Sequence, residues 1–351
     1  MSAYQNKKPL VNVCIPTYNA EKTVVSTLQS ILNQTYQNLE IIVVDNASTD
    51  NTLALLQKFD DTRIQIYKNS KNIGAEKNWG RCIELASGEY IAIFHADDLY
   101  KRDMIKKQVQ AFQDNPAIGA VFTTYNHIND RGEIIGESIL LPAELRGKEI
   151  YYFPEIFIPI LRNRNFLMCP SAMVRSEVYK ELAPFNDELF GTSADLDMWL
   201  RILERHPIAI LDEKLMSWRV SKAQGSYRFR YLRTEQADFF KVMDFYLSVK
   251  SGDLNIPNSA LNKYELQRSM DNIMRAVNHL IKGKSEDARK LLKESFSGKV
   301  FRVALNHIEK PKFLAFWVFG VMLLVLVYFR LGRYLGKGLH WLLYTWKRRF
   351  V

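Results

Sequence analysis

Cysteine is scarce in this sequence: only Cys14, Cys82 and Cys169 occur among 351 residues, and no two of them have C-x-x-C spacing. This set argues against a disulfide framework or a cysteine zinc site and favours a reducing compartment. The N-terminal stretch has too short an apolar run for a signal peptide. With 47% hydrophobic and 25% charged residues, the composition is typical of a globular protein rather than of a disordered chain or a multi-span transporter.

Acidic residues are absent from Lys310 to Val351, where eight Lys and Arg residues supply most of the chain's net charge of +10. A basic excess can indicate nucleic acid, an anionic membrane or phosphate-bearing substrates. Here it flanks Phe313 to Phe329, an uncharged run of roughly 25 Å, slightly shorter than a bilayer core of about 30 Å. A simple span would place the C-terminal cations outside, so we expect an in-plane or re-entrant helix at the cytoplasmic face. The alternative is a buried helix of a soluble oligomer.

The first hundred residues alternate between strand-like and helix-like segments. The predicted strands are Leu10 to Ile15, Leu39 to Val44, Ile64 to Tyr67 and Tyr90 to Phe94, and the intervening helices are one capped by Asn19, Asp50 to Phe59, and Ala75 to Ala86. Strands that are apolar on both faces predict a parallel sheet covered by helices. The pattern becomes mixed from about residue 117, and it is helical and amphipathic from 234 to 309. We therefore predict a domain at 1–233, a helical extension at 234–309 and a membrane-associating tail at 310–351.

Polar side chains follow three of these strands, and ligands of such sheets bind at strand carboxyl ends. The candidates are Pro16, Tyr18 and Asn19 after the first strand, Asp45 after the second, and His95, Asp97 and Asp98 after the fourth. Adjacent carboxylates suit Mg²⁺ or Mn²⁺ bridging a diphosphate. Two structural alternatives are open: Asp97 and Asp98 could cap the helix that starts near Asp103, and Asp45 could be an Asx-turn residue.

Four blocks in this order resemble the inverting family 2 glycosyltransferases of the GT-A fold. They read VCIPTYNAEKTVVSTLQSILNQTY, EIIVVDNASTDNT, KNIGAEKNWG and ASGEYIAIFHADD. The resemblance covers about a hundred residues closely and continues loosely to about residue 230. It implies a Rossmann-like α/β domain with a mixed sheet, here followed by the helical extension and the apolar segment.

The resemblance also implies roles for the strand-end residues. Pro16, Tyr18 and Asn19 would lie against the nucleotide, and Asp45 would contact the base. The third block matches through Asn72 and Lys77, although Lys replaces the usual Arg, so a phosphate or base contact would lack the planar fork of a guanidinium.

The family's metal motif is commonly D-x-D-D, and His95 occupies its first position here. The resemblance assigns ribose or metal contacts to Asp97 and metal coordination to Asp98. For His95, packing is as good an explanation as ligation.

The segment from Phe190 to Arg201 resembles the family's E-D-x-D-x-W-L-R segment and implies that Asp195 is the general base. Helix N-capping is the structural alternative for Asp195. Two departures are visible: Ala194 replaces the usual Glu, and Trp218 to Ser221 lacks the His of Tyr-Arg-x-His. These departures leave the acceptor contact and details of metal ligation open.

The resemblance implies an inverting, metal-dependent transfer from a nucleotide-diphosphate sugar, with UDP favoured by its frequency in the family. The basic, apolar C-terminal segment favours a lipid-linked saccharide as the acceptor. The alternatives are a polyprenyl-phosphate sugar synthase and a noncatalytic scaffold of the same fold. The segment from Ser221 to Arg233 mixes basic and aromatic residues, but it directly follows the catalytic block. We interpret it as a loop near the diphosphate or a phosphate-bearing acceptor rather than as a nucleic-acid site.

Overall fold

The computed structural model describes residues 8–135, 141–221, 232–250, 252, 254–296 and 311–329. The chain divides into two compact units, Met1–Ser221 and Lys222–Val351. The predicted boundaries at 233 and 309 differ from this division and stay a prediction from sequence. The predicted loop from Ser221 to Arg233 and the basic residues beyond Phe329 lie largely outside the described residues.

The first unit alternates strands and helices through its N-terminal half and is irregular afterwards. Its strands are β1 (Val11–Thr17), β2 (Leu39–Asp45), β3 (Ile64–Lys68), β4 (Tyr90–Ile93), β5 (Leu99–Tyr100), β6 (Ala120–Ile128), β7 (Ile150–Tyr151), β8 (Met173–Arg175) and β9 (Ile208–Arg219). Its helices are α1 (Val24–Leu32), α2 (Thr52–Leu56), α3 (Ala75–Leu85), α4 (Met104–Asp114), α5 (Phe153–Asn163), α6 (Ser176–Glu181), α7 (Asp187–Phe190) and α8 (Ala194–Leu203).

All nine strands join one sheet in the order β3-β2-β1-β4-β8-β6-β9-β5, and β7 also pairs with β9. The strands β3, β2, β1 and β4 are parallel to one another. β8 runs antiparallel to both of its neighbours, whereas β6 and β9 are parallel. The α/β architecture with a mixed sheet is therefore confirmed. The four parallel strands end at the same edge, which is where the candidate residues follow them.

The parallel strands lie at the centre of the core, with helices on both faces. Val13 of β1 packs with α1 and α4 on one face, and on the other the Cys14 thiol donates to the carbonyl of Cys82 in α3. One polar side chain in β1, Asn12, is fully buried and hydrogen-bonded: it donates to Glu40 of β2 at 2.5 Å and accepts from the backbone N–H of Ser87 at 3.0 Å. These partners satisfy the amide inside the sheet.

Asn19 is not the helix cap that the sequence predicted. The N-cap of α1 is Thr23, and α1 begins at Val24. Asn19 has a φ of 49°, in the left-handed region that Asn tolerates better than most residues. The chain therefore makes a further turn before the helix starts.

The second unit is helical in its described part. It contains α9 (Asp238–Lys250), α10 (Asn258–Ile281), α11 (Ser285–Ser295) and α12 (Pro311–Tyr328). A hydrophobic cluster joins α10, α11 and α12 through residues such as Ile273, Leu292 and Leu323. The helical C-terminal region is confirmed. Among the helices that the structure describes, none combines the length and apolarity needed to cross a membrane.

Candidate active site

The ends of β1 and β2 bring the first predicted nucleotide contacts together. Thr17 lies in parallel register with Asp45, and the preceding Pro16 lies opposite Val44. Asp45 is fully buried, and its Oδ2 accepts a 3.1 Å hydrogen bond from the backbone N–H of Ser48. Asp45 thus closes the turn after β2, as the Asx-turn alternative predicted. Its Oδ1 is buried without a hydrogen-bond partner in the described part of the chain, so this atom can accept a bond from a ligand.

Tyr18 and Asn19 form the loop beyond β1. Tyr18 is exposed. The backbone N–H of Asn19 donates to Ser48 Oγ at 2.9 Å, and Asn19 Oδ1 accepts from the backbone N–H of Thr49 at 2.8 Å. Asn19 therefore joins the loops after β1 and β2, a role that its short side chain and positive φ permit.

Asn46 connects the end of β2 to the loop before α3. Its Nδ2 donates to Asn72 Oδ1 at 3.0 Å and to the carbonyl of Gly74 at 3.1 Å. Its Oδ1 accepts from Asn69 Nδ2 at 2.9 Å and from the backbone N–H of Ile73 at 3.0 Å. The amide of Asn46 has all four of its hydrogen-bonding positions filled, so it fixes the loop that carries Asn72.

Asn78 extends this network into α3. Its Oδ1 accepts from Asn69 at 2.8 Å, and its Nδ2 donates to the carbonyl of Val44 at 3.0 Å. Lys77, one residue earlier, is exposed. The structure thus connects Asn72 to the edge of the sheet through this network, whereas Lys77 lies on the solvent side of α3.

Asp97 and Asp98 lie in the turn between β4 and β5. The N-cap of α4 is Asp103, so the interpretation of the pair as helix caps is wrong. Asp98 is fully buried, and among the described residues nothing pairs with its Oδ2. Burial and the neighbouring charge of Asp97 raise the pKa of Asp98 well above its usual range.

The side chain of His95 lies beside this acidic pair. One candidate ligand atom from each of His95, Asp97 and Asp98 lies within 4.8 Å of the others. The Nε2 atom of His95 is buried and has no hydrogen-bond partner in the ranges described. Burial lowers the pKa of His95 and so favours the neutral ring, which is the form that binds metals.

These residues fit a divalent cation. Two carboxylates and one imidazole make a donor set that Mn²⁺ accepts readily, and carboxylates also suit Mg²⁺. A cation would supply the partner that Asp98 Oδ2 lacks, and it would offset the cost of ionising a buried carboxyl.

Arg219 is the residue that holds the acidic turn in place, and its role was not predicted from the sequence. Its backbone N–H donates to Asp98 Oδ1 at 2.8 Å, and its Nε donates to the carbonyl of Asp97 at 2.7 Å. Its Nη1 donates to the carbonyls of Asn129 and Asp130 at 2.7 and 3.0 Å. The buried guanidinium thus joins the turn after β4 to the loop after β6. The available signal was that Arg219 matches the Arg of the Tyr-Arg-x-His pattern.

The predicted base, Asp195, is the second residue of α8 and is partly buried. The N-cap of α8 is Ser193, so Asp195 is not the cap, although its Oδ1 accepts a 2.7 Å bond from the backbone N–H of Leu196. Burial raises the pKa of Asp195 to about 7; the bond from Leu196 opposes this shift, and the charge of Glu76 adds to it. Asp197 instead pairs with Arg201 at 2.9 Å.

The pKa of the buried Cys169 thiol is influenced by the charges of both the predicted base and Asp98 of the acidic pair. Burial raises the pKa of Cys169 well above its usual range, and the charges of Asp195, Glu76 and Asp98 raise it further. The carboxylate of Glu76 therefore acts on the same buried thiol as those of Asp195 and Asp98. Glu76 was not predicted as a site residue.

A series of aromatic contacts joins the two sides of the site. His95 stacks on Trp79 at 5.8 Å, and Trp79 meets the edge of Phe185 at 5.3 Å. Phe185 in turn contacts Trp199 of α8 at 6.4 Å. The helix that carries Asp195 is therefore packed, through aromatic rings, against the histidine of the acidic turn.

Comparisons with known proteins identify the family and the fold of this chain. The family model described as Glycosyl transferase family 2 matches residues 12–183. An uncharacterised glycosyltransferase of Methanocaldococcus jannaschii is 32% identical over 243 residues, covering 65% of this chain and 79% of the relative. The putative teichuronic acid biosynthesis glycosyltransferase TuaG of Bacillus subtilis is 29% identical over 248 residues, covering 67% of this chain and 92% of the relative.

Among solved structures, residues 1–349 of S. aureus TarS in complex with UDP superpose with a TM-score of 0.57 at 19% identity, covering 88% of this chain and 89% of that one. At this identity the likeness shows the fold. The sequence matches and the shared architecture together lead to one conclusion: the chain is a glycosyltransferase with a GT-A-like α/β fold and belongs to family 2.

Proposed function

We propose that this chain transfers a sugar, with inversion at the anomeric carbon, from a nucleotide-diphosphate sugar to a membrane-linked saccharide. The observation that carries the proposal is that Asp98, clustered with His95 and Asp97, is connected through packed aromatic rings to the helix that carries Asp195. An inverting transfer needs a base on the acceptor side and charge stabilisation beside the leaving group. The two carboxylates match these separate needs.

Asp195 is the proposed general base. In its ionised form it takes the proton of the acceptor hydroxyl while that oxygen forms a bond to C1 of the sugar. The bond between C1 and the diphosphate oxygen breaks, and the nucleotide diphosphate leaves with the electron pair. A base with a pKa of about 7 is ionised in roughly half of the molecules at neutral pH, which suits general base catalysis.

The donor is proposed to bind along the carboxyl edge of β1, β2 and β4. The unpaired Oδ1 of Asp45 can accept a hydrogen bond from the base, and the exposed ring of Tyr18 can lie against the nucleotide. Asn72 is fixed in the loop beside them, and Lys77 offers a cation on the solvent side. The UDP complex of TarS, which shares the fold, supports UDP as the nucleotide.

Asp97 and Asp98, with His95 beside them, are the residues that would hold Mg²⁺ or Mn²⁺. When bound, the cation supplies positive charge for the departing diphosphate. Arg219 holds the turn that carries the two carboxylates through two hydrogen bonds, and two more attach its side chain to the loop after β6.

The acceptor proposal is a lipid-linked saccharide at the cytoplasmic face of the membrane. It is supported by the basic, acid-free C-terminal segment and by TuaG, whose name refers to teichuronic acid biosynthesis. A screen of nucleotide-sugar hydrolysis, followed by product analysis on membrane extract, tests the proposal. We expect one donor to be consumed faster with extract than without it and the sugar to appear in the lipid fraction. Consumption of no donor would contradict the proposal.

Two alternatives are separated by direct measurements. In a polyprenyl-phosphate sugar synthase the acceptor is already an anion, so Asp195→Asn should retain most activity there and lose it in the favoured reaction. A noncatalytic scaffold predicts no metal-dependent UDP binding in a calorimetric titration with and without Mn²⁺. Binding to nucleic acid, which we do not expect, would appear as steeply salt-dependent oligonucleotide affinity.

A further inference from the structure

The helix α12 has two faces with different surroundings, although its sequence is apolar all round. Among its described side chains, Leu323 and Val327 are buried in the cluster with α10 and α11. Gly320 lies on the same face, and a Cβ there would come within 2.7 Å of Ile273 Cδ1 and 2.8 Å of Phe296 Cζ. This close approach fixes which side of α12 faces the other helices.

The opposite face of α12 is an exposed apolar stripe. It comprises Val318, Val321, Met322 and Val325, at the i, i+3, i+4 and i+7 spacing of one helix face. The neighbouring α11 differs, because its exposed positions include Glu286, Lys290 and Lys293. A soluble surface seldom leaves such a continuous apolar stripe uncovered, so the stripe indicates a contact.

We propose that the stripe of Val318, Val321, Met322 and Val325 lies in one leaflet of an anionic bilayer, with α12 parallel to the membrane. The packing of α12 argues against a span, because α11 packs against it and exposes Glu286, Lys290 and Lys293, which cannot enter the hydrocarbon core. The flanking sequence favours a bilayer over a protein partner: from Lys310 to Val351 it holds eight basic and no acidic residues. A basic sequence next to an apolar one is typical of segments that bind anionic membranes.

Membrane contact does not depend on the transfer chemistry, but the proposed membrane-linked acceptor relies on the same C-terminal segment. Failure of the membrane contact would remove that support and leave transfer from a nucleotide sugar standing. Because the stripe consists of named residues, a variant on the stripe can be compared with a matched variant elsewhere in the second unit. Val325 on the stripe and Val249 on α9 are both valines in the second unit, exposed by 48% and 54%. Val325→Asp and Val249→Asp therefore add the same charge to equally exposed helix positions.

Flotation of the full chain with vesicles of equal parts phosphatidylglycerol and phosphatidylcholine tests the proposal. We expect the wild type and Val249→Asp to float with the vesicles. For Val325→Asp, the ratio of vesicle-bound to free protein should be lower by about tenfold or more, since Asp is strongly disfavoured in an apolar leaflet. Circular dichroism checks that both variants are folded. Flotation of Val325→Asp at the wild-type level would overturn the proposal. The proposal would also be overturned if the wild type did not bind vesicles and formed oligomers through the stripe. Light scattering would then find Val325→Asp monomeric and the wild type and Val249→Asp oligomeric.

A second measurement applies if Val325→Asp does not fold. Cys14, Cys82 and Cys169 are all buried, so a cysteine introduced by Val318→Cys or Val249→Cys can be labelled selectively with a polarity-sensitive dye. With vesicles, we expect a blue shift and quenching by brominated lipid for the label at 318 and neither change at 249. Equal responses at the two positions would contradict the placement of the stripe in the bilayer.

Discussion

The backbone N–H of Arg219 donates a 2.8 Å hydrogen bond to Oδ1 of Asp98, across 121 residues of sequence. This bond occupies one carboxylate oxygen and leaves the other buried without a partner in the residues described. The last residue of β9 thereby orients the carboxylate toward His95 and Asp97. The side chain of Arg219 strengthens the arrangement by donating to the carbonyls of Asp97, Asn129 and Asp130.

Substitution of Arg219 separates the two contributions of this residue. Arg219→Ala keeps the backbone bond to Asp98 but removes the side-chain donor to the carbonyls of Asp97 and Asp130. The carbonyl of Asn129 keeps the bond from the backbone N–H of Gly132. We expect a loss of about 2–4 kcal/mol of unfolding free energy, because buried charge-assisted hydrogen bonds are lost. We also expect weaker Mn²⁺ binding in the presence of UDP, since the acidic turn loses the hydrogen bond from the Arg219 side chain.

Urea unfolding measures the change in stability, and calorimetry measures Mn²⁺ binding. Arg63→Ala, which removes a partly exposed pair with Asp61, serves as the control and should lower the unfolding free energy by at most about 1 kcal/mol.

Asp98→Asn should stabilise the metal-free protein while it removes metal binding. The pKa of Asp98 is higher in the folded chain than in the unfolded chain, so folding becomes less favourable as pH rises between the two values. An amide removes that cost at neutral pH, and its oxygen can still accept from Arg219. We expect the free energy of unfolding of the metal-free protein to rise by about 0.5–2 kcal/mol, because functional sites often reduce stability.

Thermal melts with and without Mn²⁺ check this prediction. The wild type should be stabilised by Mn²⁺ in the presence of UDP, whereas Asp98→Asn should melt at the same temperature in both conditions. If Asp98→Asn were less stable than the metal-free wild type, ionisation of the buried Asp98 carboxyl would not be destabilising the folded chain.

Asp195→Asn should reduce the transfer rate by about 100- to 10,000-fold, the range expected for loss of a general base. Donor binding should be nearly unchanged because the substitution conserves shape. Asp197→Asn on the same helix is the matched control: its carboxylate pairs with Arg201, so the substitution should lower stability more than rate. Equal rate losses for the two variants would indicate a structural role for Asp195.

The pH dependence of kcat/KM should show the ionisation of Asp195. The base is active when deprotonated, so kcat/KM should rise with pH, with an apparent pKa near 7, and fall about tenfold per pH unit well below that value. UDP binding measured over the same pH range distinguishes titration of the base from titration of the donor site. A flat profile between pH 5 and 8 would be inconsistent with the assignment.

The sequence predicted the parallel half of the sheet well, because β1, β2 and β4 are apolar on both faces and end at polar residues. It placed Asp45, Asp97 and Asp98 at a common edge for the same reason. It could not predict the role of Arg219, since the bond to Asp98 depends on β9 lying beside β5 and β6 rather than on any local pattern. The sequence predicted Asn19 as the N-cap of α1, whereas the structure has Thr23 there. Asn is a common capping residue and precedes Thr23 in the chain, and a hydrophobic pattern does not reveal the positive φ of Asn19.

The anomeric configuration of the transferred sugar tests the central claim most directly. Proton NMR of the product made by the wild type with Mn²⁺ gives this configuration from the coupling at C1. We predict a configuration opposite to that of the donor, and product formation by Asp195→Asn that is slower by about 100-fold or more under the same conditions. A product with the donor's configuration, or one formed equally well by Asp195→Asn, would contradict direct displacement assisted by this base.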